Sequence, residues 1–210
     1  MPIDKETAAR TALRLLEEDG LDRLTVRRVA SALGVQAPAL YWHFADKRAL
    51  LDQIVDVMLA PAAMELGRPG PGEPWWTWLE RSLGALRRAL LAHRDGARVA
   101  AGADVTRAVA MGAFAERVTE VLHAAGFGLA DASRAAGALV HFVVGRTLEE
   151  QSRPALEEEA RAVADAGFPF PVLAAALRER HEAGITPDED FAYSLMIMLT
   201  GLRALRDRSV

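Results

Sequence analysis

Apolar residues recur at intervals of three and four along almost the whole chain, which is the spacing of one face of an α-helix. The first such face consists of Ala9, Ala12, Leu13 and Leu16, and Gly20 follows where a helix would end. No segment of four to eight residues alternates polar and apolar side chains between turn signals, so strands are expected to be absent or rare. The sequence therefore predicts an all-α fold.

Start and stop signals divide this pattern into separate helices. Thr25 and Asp46 can each cap a following helix with a side-chain oxygen. Thr186 and Glu189 have the spacing of a capping box at the start of the last helix. The remaining expected elements are a loop over 67–72, helices over 75–91, 106–125 and 129–151, a turn over 93–96, a polar connection that opens at 157–159, and a helix that ends near 183.

Composition excludes several classes of protein. The 210 residues include no cysteine, which excludes disulfides, cysteine-ligated metals and thiol catalysis. No apolar run is long enough to span a membrane and the chain begins without a secretory leader, so a cytoplasmic location is expected.

The net charge of the chain is −4, yet residues 1–50 carry eight Lys or Arg against seven Asp or Glu. A contact with a polyanion is therefore expected in the first fifty residues.

One short segment has the spacing of a DNA-binding helix-turn-helix. Ala30 is small enough for two helices to cross closely, and Gly34, four residues later, can adopt a positive φ in the turn. Leu40, six residues further on, can fill the space between the two helices. This order of a small residue, a glycine and an apolar residue predicts a helix pair whose second helix enters the major groove.

The exposed residues around the second helix are the candidates for DNA contact. Gln36 can pair with adenine, and the methyl groups of Ala37 and Ala39 can pack on thymine. Tyr41 and His43 can bind phosphates, which fixes the register without reading sequence. The full predicted set is Thr25, Arg27, Gln36, Ala37, Pro38, Ala39, Tyr41, His43 and Lys47.

Several segments in and beyond the helix-turn-helix share a known pattern: Leu40-Tyr-Trp-His-Phe-Ala-Asp-Lys-Arg-Ala-Leu-Leu51, Thr25-Val-Arg-Arg-Val-Ala30, Gly34-Val35, Ala89-Leu-Leu-Ala-His-Arg-Asp-Gly-Ala-Arg-Val99, His141-Phe142, Gly145 and Leu148-Glu-Glu-Gln151. These residues resemble the tetracycline repressor (TetR) family of transcriptional regulators, with a pattern closest to its tetracycline-repressor branch. The resemblance implies a DNA-binding domain over 1–47 and a ligand-binding and dimerisation domain over 48–210. It also implies a homodimer, joined by the helix around 129–151 and the last helix, that represses transcription at a palindromic operator until a small molecule releases it.

The chain departs from that branch at the positions that would hold a magnesium–tetracycline chelate. By resemblance, the metal-binding histidine falls at Ala100 and a drug-contacting threonine at Ala103. A methyl group cannot replace an imidazole as a metal ligand. We therefore expect no metal or other cofactor, and a mostly apolar or aromatic effector. The predicted pocket consists of Ala63, Ser82, Leu86, Ala100, Ala103, Val118, His141 and Glu149.

Two other functions stay open from the residues alone. One is a helix-turn-helix regulator that has no small ligand and is controlled by a partner or acts as an activator. The other is an enzyme, which the sequence disfavours because the chain has no His-Glu-x-x-His, no Gly-rich phosphate loop and no Gly-x-Ser-x-Gly. Trp75, Trp76 and Trp78 also allow two interpretations, an aromatic wall at a ligand entrance or the cover of a helical core.

Overall fold

The computed structural model describes residues 4–152 and 168–208, and every regular element within these ranges is helical. The helices are α1 (Lys5–Asp19), α2 (Val26–Ala32), α3 (Ala37–Tyr41), α4 (Lys47–Glu65), α5 (Trp75–Leu91), α6 (Gly96–Ala100), α7 (Val109–Ala124), α8 (Leu129–Ser152), α9 (Pro171–Glu182) and α10 (Pro187–Arg208). A single 3₁₀ turn, Leu21–Arg23, lies between α1 and α2. The predicted all-α fold is confirmed.

The helices begin where the predicted caps place them. The Thr25 hydroxyl accepts a hydrogen bond from the Arg28 amide at 3.2 Å. The Asp46 carboxylate accepts one from the Ala49 amide at 2.8 Å. At the start of α10, the Thr186 amide donates to Glu189 at 2.8 Å and the Glu189 amide donates to the Thr186 hydroxyl at 3.2 Å. Each bond satisfies an amide that has no partner within the helix.

The amino-terminal head consists of α1, α2 and α3. Gly34, in the turn between α2 and α3, has a φ of +68°, a conformation that side chains disfavour. The Val35 amide donates to the Ala30 carbonyl at 3.0 Å and closes this turn. Ala30 and Leu40 are both buried where the two helices cross. The turn and the buried pair hold α3 with its outer face in solvent.

One long helix, α4, joins the head to the rest of the chain. It packs against α1 on one side and against α5, α6 and α7 on the other. Beyond it, α8 packs between α5 and α7, and α10 packs against α5 and α8. The buried side chains of all these helices form one continuous apolar core. The head and the rest of the chain are therefore connected by the packing of α4.

A buried arginine ties three helices of the body together. Arg87 on α5 is only 5% exposed. Its guanidinium donates to both carboxylate oxygens of Glu150 on α8, at 2.8 and 3.0 Å, and to Asp188 on α10 at 2.6 Å. It also lies 4.9 Å from the ring centre of Phe191. Such a fork of charge-assisted bonds fixes the relative positions of these helices.

The sequence missed one element and misplaced one boundary. The short helix α6 follows the predicted turn at 93–96, and it carries neither a capping side chain nor a full apolar stripe. The helix predicted from 106 begins at Val109, because the Thr106 amide and hydroxyl both donate to Asp104 in a local turn. The polar connection predicted at 157–159 lies outside the described residues. None of the described helices meets the length and hydropathy that a membrane crossing requires.

Candidate nucleic-acid interface and ligand pocket

The head presents a polar and aromatic face around the start of α3. Gln36 caps α3 without a side-chain bond and is exposed, as are Pro38 and Ala39. Ala37 and His43 are half-buried at the edge of the same face. Tyr41 is half-exposed. Six of the nine predicted contacts thus lie on α3, at its cap or just after its end, within one short stretch of surface.

The remaining predicted contacts flank this face with different local roles. The Thr25 hydroxyl is used as the cap of α2. Arg28 pairs with Asp19 on α1, whereas its neighbour Arg27 is exposed and has no ion-pair partner in the described part of the chain. Lys47 is exposed, and its ammonium donates to the Leu21 carbonyl at 3.3 Å.

The sequence interpretation missed one exposed aromatic residue at this face. Trp42 follows α3 directly and is 89% exposed. An indole has a flat apolar surface and one N–H donor, both of which suit contact with a sugar–phosphate backbone. Its place between two predicted contacts, Tyr41 and His43, was the available signal.

The predicted pocket residues separate into a buried group and a surface group. Leu86, Ala100 and Val118 belong to the continuous core, and Ala103 packs against it. Ser82 is buried on α5, four residues before Leu86, and Ala63 is half-buried in the last turn of α4. The structure thus gathers residues of α5, α6 and α7 into the centre of the body.

His141 and Glu149 lie outside this centre in the single chain. Both are exposed on α8, whose buried face instead consists of Leu139, Val140, Val143, Val144 and Thr147. Glu149 has a carboxylate oxygen 3.9 Å from Arg146. The two residues share an outer stripe of α8 with Gly145.

The side chains at the predicted pocket positions do not suit a magnesium–tetracycline chelate. Alanine side chains, which offer no nitrogen or oxygen ligand, stand at 100 and 103, the positions at which the resemblance implies a metal-binding histidine and a drug-contacting threonine. The described residues contain no group of three or more His, Asp or Glu side chains placed to hold a metal. The exposed His141 and Glu149 are separated from the buried core that carries Ala100. The residues present therefore do not fit the metal that the resemblance implies.

One face of α5 carries three buried polar atoms without partners. They are Nε1 of Trp75, Nε1 of Trp78 and Oγ of Ser82, and they are the buried side-chain nitrogen and oxygen atoms that lack a hydrogen bond within the described ranges. Positions 75, 78 and 82 lie on the same side of a helix. An unsatisfied buried polar atom typically costs about 1–3 kcal/mol. Three on one stripe are therefore unusual for an ordinary core helix.

A groove opens where this stripe reaches the surface. It encloses about 340 Å³ between the loop before α5 and the end of α7. Trp75 lines it, with its ring set edge-on to Phe127 at 5.8 Å between ring centres. Arg68 and Glu120 from opposite sides of the groove form an ion pair at 3.3 Å. Trp75 therefore covers the core and also lines an opening at the surface, and its role at a ligand entrance stays a prediction.

A buried carboxylate joins α4 to the segment that carries Ala100 and Ala103. Asp52 is 1% exposed and accepts hydrogen bonds from Arg48 at 2.8 Å and from Arg107 at 2.9 Å. Arg48 also donates to the carbonyl oxygens of Val99 at 2.9 Å and Ala101 at 3.1 Å. Arg48 thus binds the end of α6 from the first turn of α4, next to the head.

A second set of bonds joins the same segment to α1 and the 3₁₀ turn. Asp95, which has a φ of +56°, accepts a hydrogen bond from the Leu21 amide at 2.8 Å. Arg98 on α6 pairs with Asp22 at 2.8 Å, and this guanidinium lowers the pKa of Asp22. His93 lies 2.8 Å from the Glu17 carboxylate at the end of α1. Residues 93–98 therefore contact the head directly, and residues 99–107 contact α4.

Two family models match most of the chain. The model described as "Bacterial regulatory proteins, tetR family" matches residues 9–54, and the model "Tetracyclin repressor-like, C-terminal domain" matches residues 68–206. Tetracycline repressor protein class C from Escherichia coli is 39% identical over 208 residues, which are 97% of this chain and 92% of that protein.

Solved structures with the same fold extend this similarity. A possible TetR family transcriptional regulator from Streptomyces coelicolor A3(2) superposes with a TM-score of 0.81 at 42% identity, and covers 97% of this chain and 100% of that one. A TetR variant from Acinetobacter baumannii AYE, in complex with minocycline, gives a TM-score of 0.77 at 36% identity over 97% and 95% of the two chains.

Arg48, Asp52 and Arg107, with the carbonyls of Val99 and Ala101, form the joint between α4 and residues 99–107. Asp56, one turn after Asp52, gives this joint a pH dependence. Burial raises the pKa of Asp56 more than its bonds from the Ala110 amide and Gln53 lower it, and the nearby Asp52 raises it further. The stability that Asp56 contributes is fully present below its ordinary pKa and is lost as pH rises through the raised one. We expect Asp56→Asn to be more stable than the parent chain at pH 7, by at most about 1 kcal/mol because the side chain keeps some contact with solvent. Denaturant unfolding at several pH values measures this difference, which should shrink towards pH 4.

Asp22→Asn is the matched control with the opposite sign. Because Arg98 lowers the pKa of Asp22, the stability that Asp22 contributes is present above the ordinary pKa of the carboxyl group and is lost as pH falls through the lowered one. This variant should be less stable than the parent at pH 7, and the difference should also shrink in acid. An Asp56→Asn variant that is less stable than the parent at pH 7 would contradict the assignment.

Proposed function

This chain belongs to the TetR family of bacterial regulatory proteins, and from that premise we propose that it is a repressor that binds a palindromic operator as a homodimer. A small, mostly apolar effector releases it from DNA. The observation that carries the proposal is the exposed start of α3, held by the buried Ala30 and Leu40 and flanked by Arg27 and Lys47. The protein acts by binding rather than by catalysis, on DNA in the cytoplasm.

In this proposal the start of α3 reads base edges in the major groove. Gln36 can form a bidentate pair with adenine, and the small side chains of Ala37, Pro38 and Ala39 allow close approach to thymine methyl groups. The contacts to phosphates come from Thr25, Arg27, Tyr41, His43 and Lys47, which are joined by the exposed Trp42. These contacts neutralise charge, so affinity should fall as salt rises.

The homodimer is supported by two outward faces of the body. On α10, Tyr193 is 63% exposed and Ile197 is 56% exposed, and Met196 lies beside them. A contiguous set of large exposed apolar residues usually marks an interface. The outer stripe of α8, with Gly145 between His141 and Glu149, lets a second helix approach closely. Pairing these faces about a two-fold axis makes a four-helix bundle and directs His141 and Glu149 towards the partner subunit.

The effector site is proposed around the buried residues of α5, α6 and α7. Ser82, Leu86, Ala100 and Val118 supply a surface that is apolar except for one hydroxyl. Ala63 and Ala103 are placed at its margin, and His141 and Glu149 of the partner subunit are candidates to complete it across the interface. Small-molecule sites generally have this composition, an apolar lining with few polar groups.

In this proposal, release follows from the bonds between the site and α4, the helix that carries the head. Ala100 lies between Val99 and Ala101, whose carbonyl oxygens accept hydrogen bonds from Arg48. An effector that displaces Ala100 or Ala103 displaces these carbonyls and, through Arg48, the first turn of α4. Since α4 begins at Lys47, we place the boundary of the DNA-binding domain there, with 1–47 as the head and 48–210 as the body.

Selection from a random duplex library, at about physiological salt, tests the DNA-binding half of the proposal. One palindrome should be enriched, with half-sites about one helical turn apart or slightly more. With that operator, Gln36→Ala should change the preference at one position of each half-site, at a cost of about 1–3 kcal/mol.

Lys47→Ala is the control for the same assay. It removes a phosphate contact and should weaken binding to all sequences about equally, with a salt dependence that is less steep by about 1. Unchanged preference in Gln36→Ala would remove that residue from the readout. A folded chain that enriches no sequence would contradict the proposal.

Titration with tetracyclines tests the effector half. Because Ala100 offers no metal ligand, we expect no tight binding that depends on magnesium; the Acinetobacter relative that was solved with minocycline is titrated in parallel as a comparison. Fluorescence titrations with and without magnesium provide the readout. A dissociation constant of about 1 μM or below that requires the metal would contradict the assignment of a metal-free, mostly apolar site.

A further inference from the structure

The side chain of Gln151, near the end of α8, forms three hydrogen bonds with the turn that joins α5 to α6. Its Nε2 donates to the His93 carbonyl at 2.8 Å and to the Leu90 carbonyl at 3.2 Å, and its Oε1 accepts from the Ala97 amide at 3.0 Å. A primary amide has two N–H groups and one carbonyl oxygen, so one glutamine can supply all three bonds. Both ends of the turn are therefore bonded to one side chain of α8.

The two carbonyls that accept from Gln151 also hold the turn closed. The His93 carbonyl accepts from the Gly96 amide at 3.0 Å, and the Leu90 carbonyl accepts from the His93 amide at 3.4 Å. Gly96 packs so closely that a Cβ on it would lie 2.2 Å from the Leu90 carbonyl oxygen. The turn has little room to change shape while Gln151 keeps its bonds.

The same turn is bonded to the end of α1 by backbone and side-chain groups. The Arg94 amide donates to the Glu17 carboxylate at 3.1 Å, and the Arg94 guanidinium donates to the Glu18 carbonyl at 3.1 Å. These bonds add to those of His93 and Asp95 described above. One short segment is thus bonded to α8 on one hand and to the head on the other.

We propose that Gln151 is a positioning residue that orients each DNA-binding head relative to α8, an inference that rests on the proposed function. The joint around Asp52 connects the head to the body through α4, and a single long helix can bend between two bodies. The bonds through Gln151 are a second connection, away from α4, which restrains that bending. Because α8 is proposed as a dimer helix, the two heads of a dimer are then held at one separation, and that separation determines the half-site spacing that the dimer accepts.

Hydrogen exchange of the Leu21 amide in Gln151→Met tests this role in the purified full chain without DNA. Methionine keeps the length of glutamine but cannot donate a hydrogen bond. The Leu21 amide donates to Asp95 and does not touch Gln151, so it reports whether the turn still holds the head. We expect its exchange to be at least about tenfold faster than in the parent, while the Ala49 amide at the start of α4 keeps the parent rate.

Two further variants separate positioning from a general loss of stability. Gln53→Met makes the same chemical change on α4, where Gln53 donates to Asp56 on its own helix at 2.7 Å, and Leu21 exchange should keep the parent rate. Gln151→Glu places a carboxylate against two carbonyl oxygens and should accelerate Leu21 exchange at least as much as Gln151→Met. Equal acceleration of the Leu21 and Ala49 amides in Gln151→Met would show a loss of global stability and overturn the positioning role.

Operators with altered spacing connect this orientation to DNA binding. One base pair inserted at the centre of the palindrome that the parent selects moves the half-sites apart and rotates them, so parent affinity should fall by at least about tenfold. In Gln151→Met the same insertion should cost about threefold or less, because the heads are less restrained, and the affinity for a single half-site should equal that of the parent. An insertion that costs the parent and Gln151→Met the same affinity overturns the inference.

The two measurements also separate this inference from the proposed function. A parental rate of Leu21 exchange in Gln151→Met overturns the positioning role, whether or not the chain selects a palindrome. Selectively accelerated exchange in a chain that selects no palindrome keeps the connection between α8 and the head and counts against the proposed function. Selectively accelerated exchange together with relaxed spacing supports both.

Discussion

The buried carboxylate of Asp52 is the interaction on which the rest of the arrangement depends. A charge removed from water needs partners, and Asp52 receives two guanidinium groups, from Arg48 on its own helix and from Arg107 across the joint. Breaking a buried pair of this kind leaves an uncompensated charge and is strongly unfavourable. The segment that carries Ala100 and Ala103 is therefore held against α4 at a fixed distance, and α4 carries the head.

This joint explains how one chain can combine two binding sites. The head is small, and its α3 is oriented by α2 through a single tight turn and the buried pair Ala30 and Leu40. Its orientation relative to the body is set by α4 and by the bonds of Asp95 and Arg98 to the 3₁₀ turn. On the far side of the body, Arg87 fixes α5 to α8 and α10, the helices proposed to form the dimer. A ligand beside α5 and α6 thus lies between the dimer faces and the heads.

Local signals predicted most of the helices, because caps and apolar periodicity depend on neighbouring residues. Thr25, Asp46 and the Thr186–Glu189 box are confirmed for that reason. The short helix α6 was missed because five residues carry too little periodicity, and its position depends on Asp95 and on packing against distant helices. The sequence did not predict the cluster around Asp52 either, because Arg48 and Arg107 come together only in the folded chain. The exposure of His141 and Glu149 was missed because similarity in sequence does not say which face of α8 is buried within one subunit.

The most direct test of the joint is the operator affinity of Arg48→Lys, measured in the full-length protein on the palindrome that it selects. Lysine keeps the positive charge beside Asp52 but cannot hold both the Val99 and Ala101 carbonyls in one planar fork. If the joint orients the heads, affinity should fall by about tenfold relative to the parent, while Arg81→Lys on the exposed surface of α5 leaves it unchanged. Operator affinity in Arg48→Lys equal to that of the Arg81→Lys control, in a chain that unfolds at the parent temperature, would contradict the account.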